Sequence, residues 1–589
     1  MSSAFTLQGC QDFLEEAAAP QGTLNELSLA TRAGVEGNLI AAYRALDWNN
    51  GVGGAWGNAA SNWVWGSVPS DDAYKGSEAN DQPNINSIEA YTWSNAEVET
   101  YLNDKWRGVY EGVVRANSTL RLLRDVRAAK PGEIDDATAR SIEGEALFLR
   151  AHFHFEAWRM WGNIPYYTED DLDFREANIQ SAEVVTALLA DLDAAIGLLP
   201  TSPRANARVS QWTAKAYKGR VQAYAGMWGD ALTTLRDVRA NGPYALEASF
   251  DRVWTGFSSA ENGPETILAY QASANDGEPN GNNANYGERL NFPHSGSPLG
   301  CCGFHQASQN LVNFYHVDAN GLPIALMDPN WNASSTTFTA GNMAPVDPRL
   351  DWTVGRDGVP FKDWGTHEAG WIRAPGYGGR YSAKKNVHED ASGAESNVGW
   401  VPTQLNAVNI HIFRYADMLL LLAEAEVEAG VLGNALAIVN EIRTRAGALA
   451  QGCGFPPDPD NDDELVTRYP GCSGDGRIAV DIDDASITWA DYEIGTYASF
   501  PDQAFARNAV RYERRLELAM EGQRFFDLRR WGTAEQVLNA YLAVERTRQS
   551  YFPAGAAFES RHMLFPIPPI QIELSEVDGT PRLTQNPGW

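Results

Sequence analysis

Glu513, Glu517 and Glu521 recur every four residues within RNAVRYERRLELAMEGQRFFDLRRWG (507–532), so on a helix they line one face. Two carboxylates so placed could act as acid and base in glycoside cleavage. Arg514, Arg515, Arg524, Arg529 and Arg530 crowd the same stretch and would depress those carboxyl pKa values, which spoils a general acid. The reading preferred here is structural, with paired charges locking helices together. Tyr512, Leu516, Ala519 and Met520 form an apolar stripe beside the carboxylates, and Gly522 breaks the helical pattern. His152 and His154 stand two apart, about 200° around a helix, and cannot share one metal ion. Asp458, Asp460, Asp462 and Glu464 alternate in DPDNDDE, an oxygen-rich spacing that could hold calcium. The loop lacks the glycine of an EF-hand, and a solvated acidic loop is the plainer reading.

The block WNNGVGGAWGNAASNWVW (48–65) holds four of the chain's 19 tryptophans in a glycine-rich backbone that excludes a regular helix. Such a block is either an aromatic minicore or a ligand platform. Sugar rings stack their C–H faces on indole while amides and carboxylates catch the hydroxyls. Trp56, Asn62, Trp63, Trp65, Asp72 and Tyr74 supply that mix.

The rest of the sequence excludes much else. No Gly-x-Ser-x-Gly, phosphate loop, Gly-x-Gly-x-x-Gly or His-Glu-x-x-His occurs, so no enzyme chemistry is expected. Lys plus Arg is 46 against 76 for Asp plus Glu, and the net charge of −30 repels nucleic acid phosphates and anionic lipid. No apolar run of about 18 residues is present, so no transmembrane helix is expected. Five cysteines sit at 10, 301, 302, 453 and 472. Leu-Gln-Gly-Cys at 7–10 has the form of a lipobox, with only nine residues before the cysteine. Either the true start lies upstream and Cys10 is acylated, or Cys10 is incidental. Among the other four, Cys453 and Cys472 flank one irregular loop and are the favoured disulfide; a bond between adjacent Cys301 and Cys302, or free thiols, stays open.

These residues need elements to position them. Helical periodicity covers 23–46, 106–123, 142–161 and 181–200. Two stretches read as helix–turn–helix pairs with small residues that allow close packing, 209–238 and 415–447. In the second, Ala435, Ile438, Val439, Ile442 and Ala446 form the buried stripe. Such pairs resemble tetratricopeptide repeats, which must stack on neighbours to bury their faces. Ser181 reads as an N-cap with Glu183 one position short of a capping box. About 243–413 and 448–505 have no helical period, and loops of that length are usually functional.

In this order along the chain, several motifs resemble the SusD/RagB family of outer-membrane nutrient-binding lipoproteins. They are the Leu-x-Gly-Cys at Cys10, Asp71-Asp72, the RAN helix (106–123), Gly144-Glu145-Ala146 with Phe148 to Ala151 and Trp161-Gly162-x-x-Pro165, ERRLELAMEGQRFFDLRRWG, Pro566 to Pro568, and Gln585 to Trp589. The resemblance implies a mainly α fold: a tetratricopeptide-like scaffold of helix pairs with long irregular loops forming the ligand face. It implies a lipoprotein tether over 1–22, with residues 1–9 a truncated signal remnant, and a single domain over 23–589. The scaffold would take about 23–46, 100–240, 414–447 and 507–545, and the ligand region about 47–99, 243–413 and 448–505. It adds a second ligand candidate, YGERLNFPHSGSPLGCCGFH (286–305), with Tyr286, Asn291, His294 and Phe304. The implied function is non-covalent capture of an oligosaccharide, or of a peptide, at the cell surface. The protein would be lipid-anchored in the outer membrane and partnered with a SusC-like TonB-dependent β-barrel transporter. No cofactor is required, with structural calcium an open option. The rivals are a secreted glycoside hydrolase and a helical-repeat scaffold for another protein.

Overall fold

The computed structural model describes residues 30–47, 52, 54, 56–93, 96–294, 296–399, 404–454, 478–485, 487–549 and 551–589. Apolar residues at helical spacing build the longer helices, numbered here in chain order. They are α1 Arg32–Arg44, α2 Ala96–Ala129, α3 Asp136–Trp161, α4 Ser181–Leu198, α5 Gln211–Tyr224, α6 Trp228–Asn241, α7 Tyr415–Glu428, α8 Leu432–Gly447, α9 Gln503–Leu518, α10 Arg524–Arg530 and α11 Ala534–Arg548. From α1 to α7 each packs on the next, and α7, α8 and α9 pack on one another. The mainly helical, paired-helix scaffold is therefore the observed architecture. Short strands pair across it, β1 (Ala73–Gly76) with β3 (Phe304–Ala307) and β2 (Thr266–Tyr270) with β4 (Ile410–Arg414), both antiparallel.

Local chemistry explains the helix ends. Asp135 caps α3 by accepting from Thr138 N at 2.9 Å, and Asp502 caps α9 by accepting from Phe505 N at 2.8 Å. Gly162 takes φ 71° and ends α3, and Gly430 takes φ 77° between α7 and α8. The cap of α4 is Gln180, one residue earlier than expected. That places Glu183 at the third helical position, where its carboxylate accepts from Gln180 N at 2.9 Å. The small residues do what their size suggested: a Cβ on Gly219 would meet Leu235 Cδ2 at 2.2 Å, so α5 and α6 touch through that glycine. The stripe of Ala435, Ile438, Val439, Ile442 and Ala446 is fully buried.

The late signature departs from a continuous helix. α9 stops at Leu518, and Met520 and Gly522 take φ 64° and 67°, so Glu521 is not on the helical face of Glu513 and Glu517. The turn still delivers Glu521 to the same network. Arg349 pairs with Asp347 (2.7 Å), Glu513 (2.7 Å) and Glu517 (2.9 Å). Arg414 pairs with Glu265 (2.6 Å), Glu517 (2.7 Å) and Glu521 (2.8 Å). Arg443 holds Glu513, Arg445 holds Glu265 and Glu517, and Lys385 holds Glu521. Five carboxylates thus face five cations, all buried, and the charges balance. Burial alone would raise the Glu517 carboxyl, but Arg445, Arg414 and Arg349 outweigh it and hold it far below the usual carboxylate range. A carboxyl so held cannot donate a proton near neutrality, and the structural reading of the ladder stands.

Candidate ligand-binding site

The tryptophan block folds around one residue with positive φ. Asn62 takes φ 54°, a conformation asparagine tolerates, and Trp63–Ser67 then closes a wide turn with Val68 N donating to Trp63 O at 3.1 Å. That turn is cross-tied to the 286–292 segment. Asp47 accepts from Ala60 N at 2.8 Å and from Gly287 N at 3.2 Å, and Trp63 Nε1 donates to Gly287 O at 3.2 Å. Ser61 Oγ donates to Glu288. Two segments more than 200 residues apart are thereby tied together, so the two sequence candidates converge in space.

Most of the residues picked from sequence serve that unit rather than a ligand. Trp63 and Trp65 are each 0% exposed. Trp65 Nε1 donates to Gly57 O at 2.8 Å, and its ring packs edge-on to Phe565 at 5.2 Å. Asn62 is spent on Lys105 (2.6 Å) and Glu156 (2.7 Å), and Tyr74 OH donates to Glu545 at 2.6 Å. Asp72 accepts from Arg515 at 2.9 Å, while its neighbour Asp71 binds Arg524 at 2.7 and 3.0 Å. The Asp-Asp motif therefore clamps this loop to α9 and α10. Asn291 bonds Glu288 at 3.0 Å and Phe304 packs edge-on to Trp63; both are buried. For these seven the platform expectation is corrected: all are buried and their bonds are made within the protein, with Asn291 Oδ1 the one atom among them buried without a partner. His294 is half-buried but belongs with Arg373, Glu78 and Asp81, whose charges act on it.

Trp56 and Tyr286 remain accessible. Both are half-buried, with ring planes 6° from parallel and centroids 6.3 Å apart. The Arg289 guanidinium lies 4.0 Å from the centre of the Tyr286 ring and 4.9 Å from that of Trp56. Burial pushes the Arg289 pKa down. Sequence reasoning missed Arg289, although its signal was present. Tyr286–Glu288 is a 3₁₀ turn, in which positions three apart lie above one another, so a residue at 289 falls over the ring at 286. Two near-parallel aromatic rings with a fixed guanidinium can stack a sugar ring and donate to its hydroxyls.

The remaining candidates sort cleanly. His152 pairs with Tyr217 OH at 2.7 Å, and His154 lies 3.1 Å from Arg150 O while accepting from Tyr167 N at 3.1 Å. Burial pushes both histidines down to about 3, so both are neutral structural groups. Cys301 and Cys302 form the vicinal disulfide left open above. Cys10, Cys472, the Cys453 side chain and the calcium candidates Asp458, Asp460, Asp462 and Glu464 lie outside the described residues. Among the described residues no group of three or more His, Cys, Asp or Glu could hold a metal ion, and no helix is long and apolar enough to cross a membrane.

Known proteins match this geometry over nearly the whole chain. The sequence profile of the SusD family matches residues 264–589. A second profile, described as starch-binding associating with outer membrane, matches 54–222. SusD-like protein P38 of Formosa agariphila is 24% identical over 548 residues, covering 90% of both chains. A SusD homolog from Bacteroides thetaiotaomicron superposes with TM-score 0.67 at 19% identity, over 96% of this chain and 99% of the other. A laminarin-binding SusD-like protein gives 0.62 at 23%, over 95% and 100%. Surface glycan-binding protein A of Bacteroides thetaiotaomicron, solved with laminarihexaose, gives 0.62 at 17%, over 94% and 99%. At these identities the structural likeness establishes the fold.

Proposed function

This chain belongs to the SusD family, and from that premise we propose that it captures oligosaccharides non-covalently at the outer-membrane surface and passes them to a TonB-dependent β-barrel transporter. The observation that carries the reading is the Trp56–Tyr286 pair with Arg289 above it, an aromatic and donor-bearing surface held on a cross-tied backbone. Two relatives of the same fold are named for binding laminarin or for a laminarihexaose complex, which makes β-glucan oligosaccharides the first ligands to try. Lipid anchoring through Cys10 is part of the same reading. The hydrolase alternative loses its best acid–base pair, because Glu513 and Glu517 are buried against arginines.

Calorimetric titration of the whole chain against laminarin-type, starch-type and other oligosaccharides, and against a peptide pool, tests the proposal. The expected result is saturable binding of one glycan class without new reducing ends, lost at least tenfold in Trp56→Ala and in Tyr286→Ala with the thermal midpoint held. Binding of peptides alone, or glycan binding untouched by both substitutions, would overturn it.

A further inference from the structure

One cleft shares no lining residue with the Trp56–Tyr286 pair. It encloses about 240 Å³ where the C-terminal end of α3, the last residue of α5 and helix α10 meet the 563–564 segment. Trp158, Phe526 and Leu564 line it. A space of that size is below the roughly 300 Å³ at which drug-sized pockets begin and far above the ~30 Å³ of one water, so it suits a single sugar ring.

Its polar lining holds three arginines beside Tyr224, Asn163 and Ser181, and the last two already bond each other and Trp158. Arg530 is neutralised by Glu424, at 2.6 and 2.7 Å, and by Asp527, at 2.8 Å. Arg159 is held by Glu156 at 2.6 and 2.7 Å and reaches Gln523 at 3.2 Å, but its Nε has no partner. Arg529 differs from both. Among the described residues it has neither a carboxylate nor a hydrogen bond, and its guanidinium touches only rings: Phe525 at 5.3 Å, Phe565 at 5.8 Å and Phe526 at 5.9 Å. Its Nε and Nη1 are buried and unpartnered, and so is the Tyr224 hydroxyl, so none of the three is open to the cleft; Nη2 is the donor that Arg529 can offer a ligand. Burial, and then the charge of Arg159, push the Arg529 pKa down to about 9.

Buried guanidinium groups are normally paired, because an uncompensated charge and unmade hydrogen bonds are both costly in a water-poor site. A neutral acceptor satisfies the hydrogen bonds and leaves the charge. An oxyanion on Nη2 answers the charge through a charge-assisted hydrogen bond. The acidic body of the molecule, at −30, would repel such a group elsewhere on its surface. We infer that this cleft binds an acidic sugar residue, its carboxylate or sulfate on Arg529 and its ring against Trp158 and Phe526.

The test is a titration of the full chain with glucuronate, galacturonate, a sulfated hexose and neutral galactose, read by calorimetry and by tryptophan fluorescence. At least one acidic sugar should bind tenfold or more tightly than galactose, and more weakly as salt rises. The carboxylated and sulfated arms identify which oxyanion is preferred. Arg529→Gln should weaken that binding at least tenfold. Should Arg529→Gln fail to fold, Trp158→Leu, which removes the stacking ring, decides the matter with an expected loss of several-fold. Trp56→Ala should leave the acidic-sugar titration unchanged. Equal affinity for acidic and neutral sugars, no loss in either cleft variant, or loss in Trp56→Ala would each overturn the inference.

Discussion

Trp56 and Trp63 stand seven residues apart in one aromatic block, and the sequence offers no ground for treating them differently. The fold separates them by where each indole finds its partners. Trp63 is 0% exposed, sits against Phe304 and His305, and donates to Gly287 O, 224 positions away. Trp56 keeps a half-exposed ring beside Tyr286. Composition and glycine content signal a packed aromatic cluster without saying which ring is at its margin, since a long-range partner decides that. Trp63→Ala is therefore expected to cost about 3–5 kcal/mol of stability through the cavity it leaves. The folded fraction should still bind ligand with unchanged affinity. Denaturant unfolding paired with a titration at low temperature checks both parts, and a selective loss of binding at full stability would show that Trp63 contacts ligand after all.

At the scale of elements, the junction between the tryptophan turn and the late signature is where local pattern and tertiary structure diverge. The four-residue spacing of Glu513, Glu517 and Glu521 predicts one helical face, and Gly522 predicts a break. The break begins earlier, after Leu518, and Glu521 reaches Arg414 from the turn rather than the helix. The physical reason is contact between two backbones. A Cβ on Gly522 would lie 1.9 Å from Ser61 O, and one on Gly66 would lie 1.7 Å from Gly522 O. Gly522 N also donates to Ser67 Oγ at 3.2 Å. Both glycines are thus required by close approach, a fact that neither sequence neighbourhood contains. Gly532 supplies a control, because it takes nearly the same φ, 68° against 67°, with nothing within 4 Å of its would-be Cβ. Gly532→Ala should cost about 1–2 kcal/mol, the penalty of a left-handed alanine. Gly522→Ala should cost that plus about 1–3 kcal/mol for overpacking. Equal unfolding free energies for the two variants would mean that the backbones do not meet as described.

For the whole molecule, the helix-pair scaffold was legible because each helix carries its own periodic stripe and its own stop signals. The irregular 243–413 region was not, since its short strands pair with partners far along the chain, as Phe304–Ala307 does with Ala73–Gly76. The buried charge inventory was legible only in part: arginines beside glutamates were visible, but which groups lose water was not. That inventory fixes a pH dependence. His152, His154, His305 and His388 are pushed by burial from 6.5 down to about 3, so the folded state binds fewer protons than the unfolded chain between those values. Their contribution is full above pH 6.5 and is lost as pH falls toward 3. Glu517, Glu521 and Asp527, held below the carboxylate range by arginines against the effect of burial, are likewise lost in acid, below about pH 4. These groups, taken by themselves, favour the folded state increasingly from pH 4 to 6.5. Glu288, beside the proposed glycan surface, acts with the opposite sign. Burial raises it from 4.5 to about 7, with Ser61 and Asn291 hydrogen bonds opposing and Asp47 adding to the rise. It favours the folded state below pH 4.5, and that advantage disappears as pH rises through 7. Comparing Glu288→Gln with the parent chain cancels every other titrating group. Between pH 5 and 7 the variant should gain on the parent, approaching about 1.4 kcal/mol per pH unit where the proton difference is complete. Unfolding free energies at pH 5, 6 and 7 measure that slope, and a difference that stays flat across the three would place the Glu288 carboxyl at an ordinary pKa, in water rather than in the tie between the two loops.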